Sequence, residues 1–178
     1  MLLTINGWAG KSPVLDGLMV VSAAWLIYAV FAAALCCLAF YAYRRQWRPI
    51  AYFAATLIVT FVVLKMMEIL NLDHRPFMDH SLTQLIGHEP GQSFPSDHTT
   101  SSVAVALGVL AFTKFKKLGA ALLGAALLIG FSRVFVGVHY PADIAGGILT
   151  ASIGCGIVLI SSHFIERRQA DDQPSLQE

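Results

Sequence analysis

The feature that most limits what this chain can become is a set of apolar runs long enough to cross a bilayer. A helical span needs about 20 mostly apolar residues. Runs of that kind occupy residues 15–43, 50–70, 118–136 and 142–165, and a shorter one occupies 98–113. The composition agrees: 56% of the 178 residues are hydrophobic and 13% are charged, about half the charged share of a soluble domain. Mean hydropathy is +0.65, so the solvent for most of the surface is lipid. The expected fold is all-α, a polytopic membrane helix bundle of about five transmembrane helices with a short N-terminal interfacial segment, residues 1–12, that carries Trp8. One membrane-embedded domain is expected over residues 1–165, followed by a polar, disordered cytoplasmic tail over 166–178. Only Lys11 precedes the first run, and that run is too long for a signal-peptide core, so it is expected to remain as a membrane helix.

Charge distribution orients the bundle. Net charge is +1 and gives no reason to expect a nucleic-acid partner. With five spans, Arg44, Arg45, Arg48, Lys114, Lys116, Lys117, Arg167 and Arg168 gather on one face. The opposite face has Lys11 and Arg75, with Lys65 and Arg133 inside span ends. Positive residues mark cytoplasmic loops, so the second face is expected to be external. Cys36, Cys37 and Cys155 lie inside apolar runs with no metal-ligand spacing and read as small buried residues.

The polar residues that remain are the informative ones. They fall at the external ends of the spans: Arg75 after the second, "PSDH" (Pro95 to His98) at the start of the third, Arg133 at the end of the fourth, His139 and Asp143 at the start of the fifth. Ionisable residues in or near a bilayer are costly and point to function. His139 and Asp143 are four apart, on one face of a helix start. A carboxylate on one ring nitrogen fixes the tautomer and leaves the other nitrogen free as a nucleophile or base. An ordinary helix start, with Asp143 near the positive end of the dipole, explains the pair equally well. Arg75 and Arg133 offer rigid forks suited to phosphate oxygens. Lys65 adds a third cation, or snorkels to lipid headgroups. Ser96 or Asp97 caps a helix whose first N–H groups suit an anion, and His98 beside them is placed to give a proton to a leaving oxygen. His74, His80 and His88 are spaced by six and eight, which matches no compact ligand motif, so no metal site is assigned.

Taken together, Arg75-Pro76, Pro95-Ser96-Asp97-His98, and Ser132-Arg133 with His139 and Asp143 resemble the motifs of the type-2 phosphatidic acid phosphatase superfamily. "GVHYPADIAGG" matches the family's usual continuation. "HRPF", "PSDHTT" and the N-terminal "SPVLDGLM" resemble the bacterial undecaprenyl-diphosphatase branch, and the resemblance spans roughly residues 5–165. The second motif has Asp97 where the family commonly has glycine. The family's lysine, seven positions before the motif arginine, is here Glu68, with Lys65 one turn earlier on about the same face.

The resemblance implies a metal-free and cofactor-free phosphatase in a bacterial inner membrane, acting on a lipid diphosphate whose tail stays in the membrane lipid. His139 would attack phosphorus, Asp143 would orient it, and His98 would protonate the leaving group and then activate water. Arg75, Arg133 and Ser96 would hold the phosphoryl oxygens, with Asp97 and Lys65 also on the substrate side. The nearest rivals are the same fold acting on phosphatidylglycerol phosphate, lipid A or phosphatidic acid, and a phosphotransferase. A small transporter would instead spread polar residues deep into several spans. Nothing in the pattern sets an oligomeric state.

Overall fold

The structure is a computed structural model that describes residues 1–69 and 74–171. Among the described residues eight helices follow one another: α1 (Leu2–Asn6), α2 (Pro13–Ala24), α3 (Leu26–Tyr43), α4 (Trp47–Glu68), α5 (Pro76–Asp79), α6 (Asp97–Phe112), α7 (Lys116–Phe135) and α8 (Pro141–Asp171). Among the described residues there is no strand, only an isolated bridge between His74 and Gln92. Helices stand at all five expected runs, the first of them as two, and α3, α4, α7 and α8 have the length and hydropathy to cross a membrane. The fifth, α6, has 16 residues, or about 24 Å of helix, shorter than the hydrocarbon layer.

That short helix is the centre of the bundle. It packs against α3, α4, α7 and α8 and buries Thr99, Thr100, Ser102, Val103, Ala104, Val105, Ala106, Gly108 and Val109. The outer helices carry the lipid-facing side chains, among them Leu35, Ile58, Phe61, Leu149 and Ile160. Exposed aromatics mark both ends, Trp8, Trp25 and Tyr28 at one and Tyr43 and Trp47 at the other, as at a membrane–water boundary. The buried hydroxyls of α6 bond within their own helix: Thr100 Oγ1 donates to Ser96 O (2.9 Å) and Ser102 Oγ to His98 O (2.7 Å). Small residues allow close helix approach. A Cβ on Gly154 of α8 would lie 2.2 Å from Thr60 Oγ1 of α4.

Three features differ from expectation. The first run is broken at Trp25 into α2 and α3. The Arg133 Nη1 donates to Ala23 O at 3.5 Å, a carbonyl that an unbroken helix would pair with the N–H of residue 27. A side chain inserted into the helical ladder is a recognised cause of a break. The N-terminal segment sits at the expected end of the bundle but is tied into it. Asn6, 4% exposed, donates through Nδ2 to Thr83 O (2.8 Å) and Phe135 O (2.9 Å) and accepts from Thr83 N (2.9 Å). Finally, α8 continues past residue 165 to Asp171, because the polar tail begins with helix-favouring Glu166, Arg167, Arg168 and Gln169. The rest of the expected tail, and Asp73 and the end of the second run at Leu70, lie outside the described residues.

Helix directions put the C-termini of α4 and α7 and the N-termini of α6 and α8 at one end. The basic residues are at the other. There Lys114 N donates to the Tyr41 hydroxyl (2.7 Å) and the Arg48 side chain to Gln169.

Candidate active site

The end of α7 sets the first two residues of the site. Gly137 adopts φ +84°, the left-handed conformation that closes a helix at low cost to glycine. Val138 N donates back to Arg133 O (3.2 Å) and Gly137 N to Val134 O (3.1 Å). This closure folds the chain under its own helix end, so the six-residue spacing returns His139 to the neighbourhood of Arg133. Both are 3% exposed.

The start of α8 sets the third. Pro141 opens the helix, and Asp143 N donates to Tyr140 O (3.0 Å). The Asp143 carboxylate reaches back, and its Oδ2 accepts from Tyr140 N at 2.8 Å, the return half of a capping box. The same oxygen lies 3.1 Å from His139 Nδ1. Asp143 therefore caps α8 and orients His139 at once; the two explanations of the spacing are one arrangement.

A residue that the motifs do not single out completes this group. Ser93, 2% exposed, donates its hydroxyl to Asp143 Oδ2 and lies 3.3 Å from His139 Nδ1. Its signal in the sequence was only a serine before a motif, 50 residues from its partner.

On the other side of the ring, Arg75 Nη1 is 3.4 Å from His139 Nε2 and donates to Val138 O (3.3 Å). Nδ1 faces two oxygens and Nε2 faces an N–H, so hydrogen bonding selects the tautomer with the proton on Nδ1 and the lone pair on Nε2. Burial pushes His139 down to about 4 from the ordinary 6.5, with Arg133 and Arg75 acting in the same direction and the Asp143 hydrogen bond opposing. The imidazole is neutral at neutral pH. Burial also lowers Arg75, against the attraction of Asp97 and Asp143.

Arg75 and Arg133 each have a buried Nε–H with no hydrogen-bond partner among the described residues. Among the described residues the ion pairs are Lys65–Glu68 and His139–Asp143, so neither the buried Arg133 nor the half-buried Arg75 has a carboxylate of these residues in contact. Buried charge without a counter-charge is expensive. The arrangement is suited to receive an anion beside His139 Nε2.

Ser96 caps α6, accepting from Thr99 N (3.5 Å) and Thr99 Oγ1 (3.1 Å), and its own N–H donates to Asp143 O (3.1 Å). It is fully buried. His98 is half-buried and within electrostatic range of His139, Arg133, Arg75 and His88. Asp97 is exposed, and senses Glu68, Lys65, Arg75 and Arg133. Lys65 stands apart: its Nζ pairs with Glu68 at 2.7 Å and its side chain is 51% exposed. The structure thus brings Arg75, Ser96, His98, Arg133, His139 and Asp143 to one place, with Asp97 at the rim and Lys65 outside it.

Of the loop histidines, His88 comes over the site, its ring 6.4 Å from that of His139, and burial lowers its pKa. His80 lies against Tyr140 at 6.0 Å, and His74 is exposed. No group of three or more potential metal ligands gathers among the described residues.

Comparison with known proteins gives the same motifs a wider setting. A family model described as the PAP2 superfamily matches residues 50–169. The undecaprenyl-diphosphatase BcrC of Bacillus subtilis is 35% identical over 151 residues, 84% of this chain and 76% of that one. A lipid A 1-phosphatase of Rhizobium etli is 38% identical over 69 residues, 38% of this chain and 28% of its own length. The crystal structure of Aquifex aeolicus LpxE superposes with a TM-score of 0.71 at 24% identity, covering 89% of this chain and 92% of the other; that likeness is one of fold.

Proposed function

We propose, from the premise that this chain belongs to the PAP2 superfamily, that it removes the terminal phosphate of a lipid diphosphate, undecaprenyl diphosphate or a close polyprenyl relative, at the external membrane face. Membership makes it a membrane phosphatase that acts on a lipid phosphate. The observation that carries the proposal is the pair of arginines, Arg133 buried and Arg75 half-buried, that have no carboxylate in contact among the described residues and stand beside a neutral, oriented His139.

His139 Nε2 attacks the terminal phosphorus while its Nδ1–H remains on Asp143. The bond from that phosphorus to the bridging oxygen breaks, and the lipid monophosphate leaves with a proton from His98, whose charged form the bound diphosphate anion stabilises. Arg75 and Arg133 stabilise the charge on the equatorial oxygens, the role that preorganised cations play in phosphoryl transfer. The buried Asp143 carboxylate balances the positive ring of the phosphohistidine. His98, now neutral, takes a proton from water, which attacks phosphorus, breaks the P–N bond and releases phosphate. BcrC, which this chain covers over most of its length, is named an undecaprenyl-diphosphatase, and that favours a diphosphate. The lipid A relative covers a shorter segment and supports the second reading, a lipid monophosphate substrate.

Phosphate release by the purified protein in detergent decides between them. With polyprenyl diphosphate, phosphatidylglycerol phosphate, lipid A and phosphatidic acid in parallel, the diphosphate is expected to show the highest kcat/KM, by tenfold or more. An equal margin for a monoester would replace the substrate assignment, and transfer to an added acceptor in place of phosphate release would make the protein a phosphotransferase.

A further inference from the structure

We propose that Ser93 is a positioning residue for the nucleophile, a third member of the His139–Asp143 pair that holds the carboxylate in line and keeps His139 in its attacking form. The inference rests on the catalytic reading of His139 given above.

The geometry is one-sided. Asp143 Oδ2 accepts from three groups: the Ser93 hydroxyl, Tyr140 N (2.8 Å) and the His139 Nδ1–H (3.1 Å). Asp143 Oδ1 is buried and has no partner among the described residues. A carboxylate held by one oxygen has a rotation left about its Cβ–Cγ bond. Ser93 and Tyr140 N approach that oxygen from different elements, the loop before α6 and the start of α8, and together remove the rotation. Ser93 is also 3.3 Å from His139 Nδ1. A hydroxyl has one proton and two lone pairs. With the proton on Asp143, a lone pair faces the Nδ1–H and adds to its preference for that nitrogen.

The second effect is electrostatic. A neutral donor on a carboxylate takes up part of its charge and makes it a weaker partner for a cation. The groups around His139 are Asp143 from α8, Arg133 from α7, Arg75 from the segment before α5, His98 from α6 and His88 from the loop above. All except Asp143 carry positive charge or can acquire it. Among the described residues Asp143 is the group that draws a proton onto His139, and Ser93 moderates that pull. Loss of the hydroxyl leaves Asp143 less compensated, so His139 protonates at higher pH and its lone pair is lost sooner on acidification.

The test compares wild type, Ser93→Ala and Ser93→Thr with a polyprenyl diphosphate in detergent. Ser93→Ala is expected to lower kcat by about 10- to 100-fold with KM within about twofold, and to move the acid limb of kcat/KM upward by about one pH unit. Ser93→Thr, which keeps the hydroxyl, is expected to recover most of both. Nitrogen NMR of labelled histidine, on the same samples, reads the His139 tautomer and its titration without substrate. The expected result is a single Nδ1–H form in wild type and a mixed or earlier-titrating ring in Ser93→Ala. Should Ser93→Ala not fold, the same spectra of Ser93→Cys, a weaker donor, take its place and should show the intermediate titration. An unmoved acid limb and unmoved titration overturn the proposal whatever happens to kcat. A wild-type protein without turnover on any lipid phosphate would instead overturn the catalytic reading, and the spectra would still decide the place of Ser93.

Discussion

A methyl group at Gly146 tests how tightly the two halves of the site are joined. Gly146 lies one turn after Asp143, where α8 passes Phe94, the residue between Ser93 and Pro95. A Cβ built there would sit 2.3 Å from Phe94 Cε2 and 2.5 Å from Cζ, where ordinary contact begins near 3.4 Å. The ring must therefore withdraw by about 1 Å. Overpacking of this kind costs about 1–3 kcal/mol. If the ring carries its backbone with it, Ser93 leaves Asp143 and the Ser96 N–H leaves Asp143 O. A displacement near 1 Å in a catalytic group costs on the order of 10²-fold in rate. Gly146→Ala is thus expected to insert and fold, to unfold at a lower temperature in detergent, and to lose about 100-fold in kcat. Gly156→Ala, ten residues on in the same helix with open space around its Cβ, is the control. It is expected to keep full activity and to gain about 0.5–1 kcal/mol from helix propensity. Gly146→Ala with wild-type kcat would mean that Phe94 swings aside without moving its neighbours, and the coupling between loop and helix described here would be wrong.

The two histidines should separate by leaving group. His139→Ala is expected to lose several orders of magnitude with any substrate and form no phosphoenzyme. His98→Ala with an activated leaving group should phosphorylate His139 and then stall; label on the His139→Ala protein, or none on the His98→Ala protein, reverses the roles. The acid limb of kcat/KM should lie near the His139 value of about 4, so activity persists through pH 6 where an ordinary histidine is charged. A lowered histidine pKa means that the folded state resists the proton, so both activity and this part of the stability fall as pH drops, and an acid limb at 6.5 or above would contradict the burial described. A reporter after Glu178 is expected on the cytoplasmic side and a tag beside His88 outside, as read by accessibility in intact cells; the reverse would put the substrate on the inner leaflet.

The parts of this molecule legible in the sequence were those whose cause is local. Apolar run length gave the five long helices, and the alternation of their directions placed Arg75, Ser96, His98, Arg133 and His139 at one end. The four-residue step from His139 to Asp143 is a helix-face relation, visible without any fold. What stayed hidden depends on distant partners. Nothing near Trp25 announces that Arg133 takes Ala23 O and ends α2. Asn6 looks like a polar residue in a surface segment until Thr83 and Phe135 are seen beside it. Ser93 carries no charge and no periodicity, and its importance comes from an aspartate brought in by α8. Lys65 shows the opposite case: it lies one turn from the position where the motif spacing falls on Glu68, and that same Glu68 is the partner its ammonium takes.

The central position of α6 bears on how the molecule is assembled in the membrane. A helix of 16 residues that begins Asp97-His98-Thr99-Thr100-Ser101-Ser102 has a first turn and a half that lipid would solvate poorly. In isolation it is too short and too polar at one end to hold a transmembrane position. Its neighbours α3, α4, α7 and α8 need no such protection. During synthesis α3 and α4 enter first, and α6 gains its remaining walls only when α7 and α8 have followed. Without those walls its hydroxyl-rich end, capped by Ser96 with His98 in the first turn, is best solvated by headgroups and water. The polar end of α6 is consequently complete only in the assembled bundle, where Ser96 N donates to Asp143 O of α8 and the same aspartate holds His139.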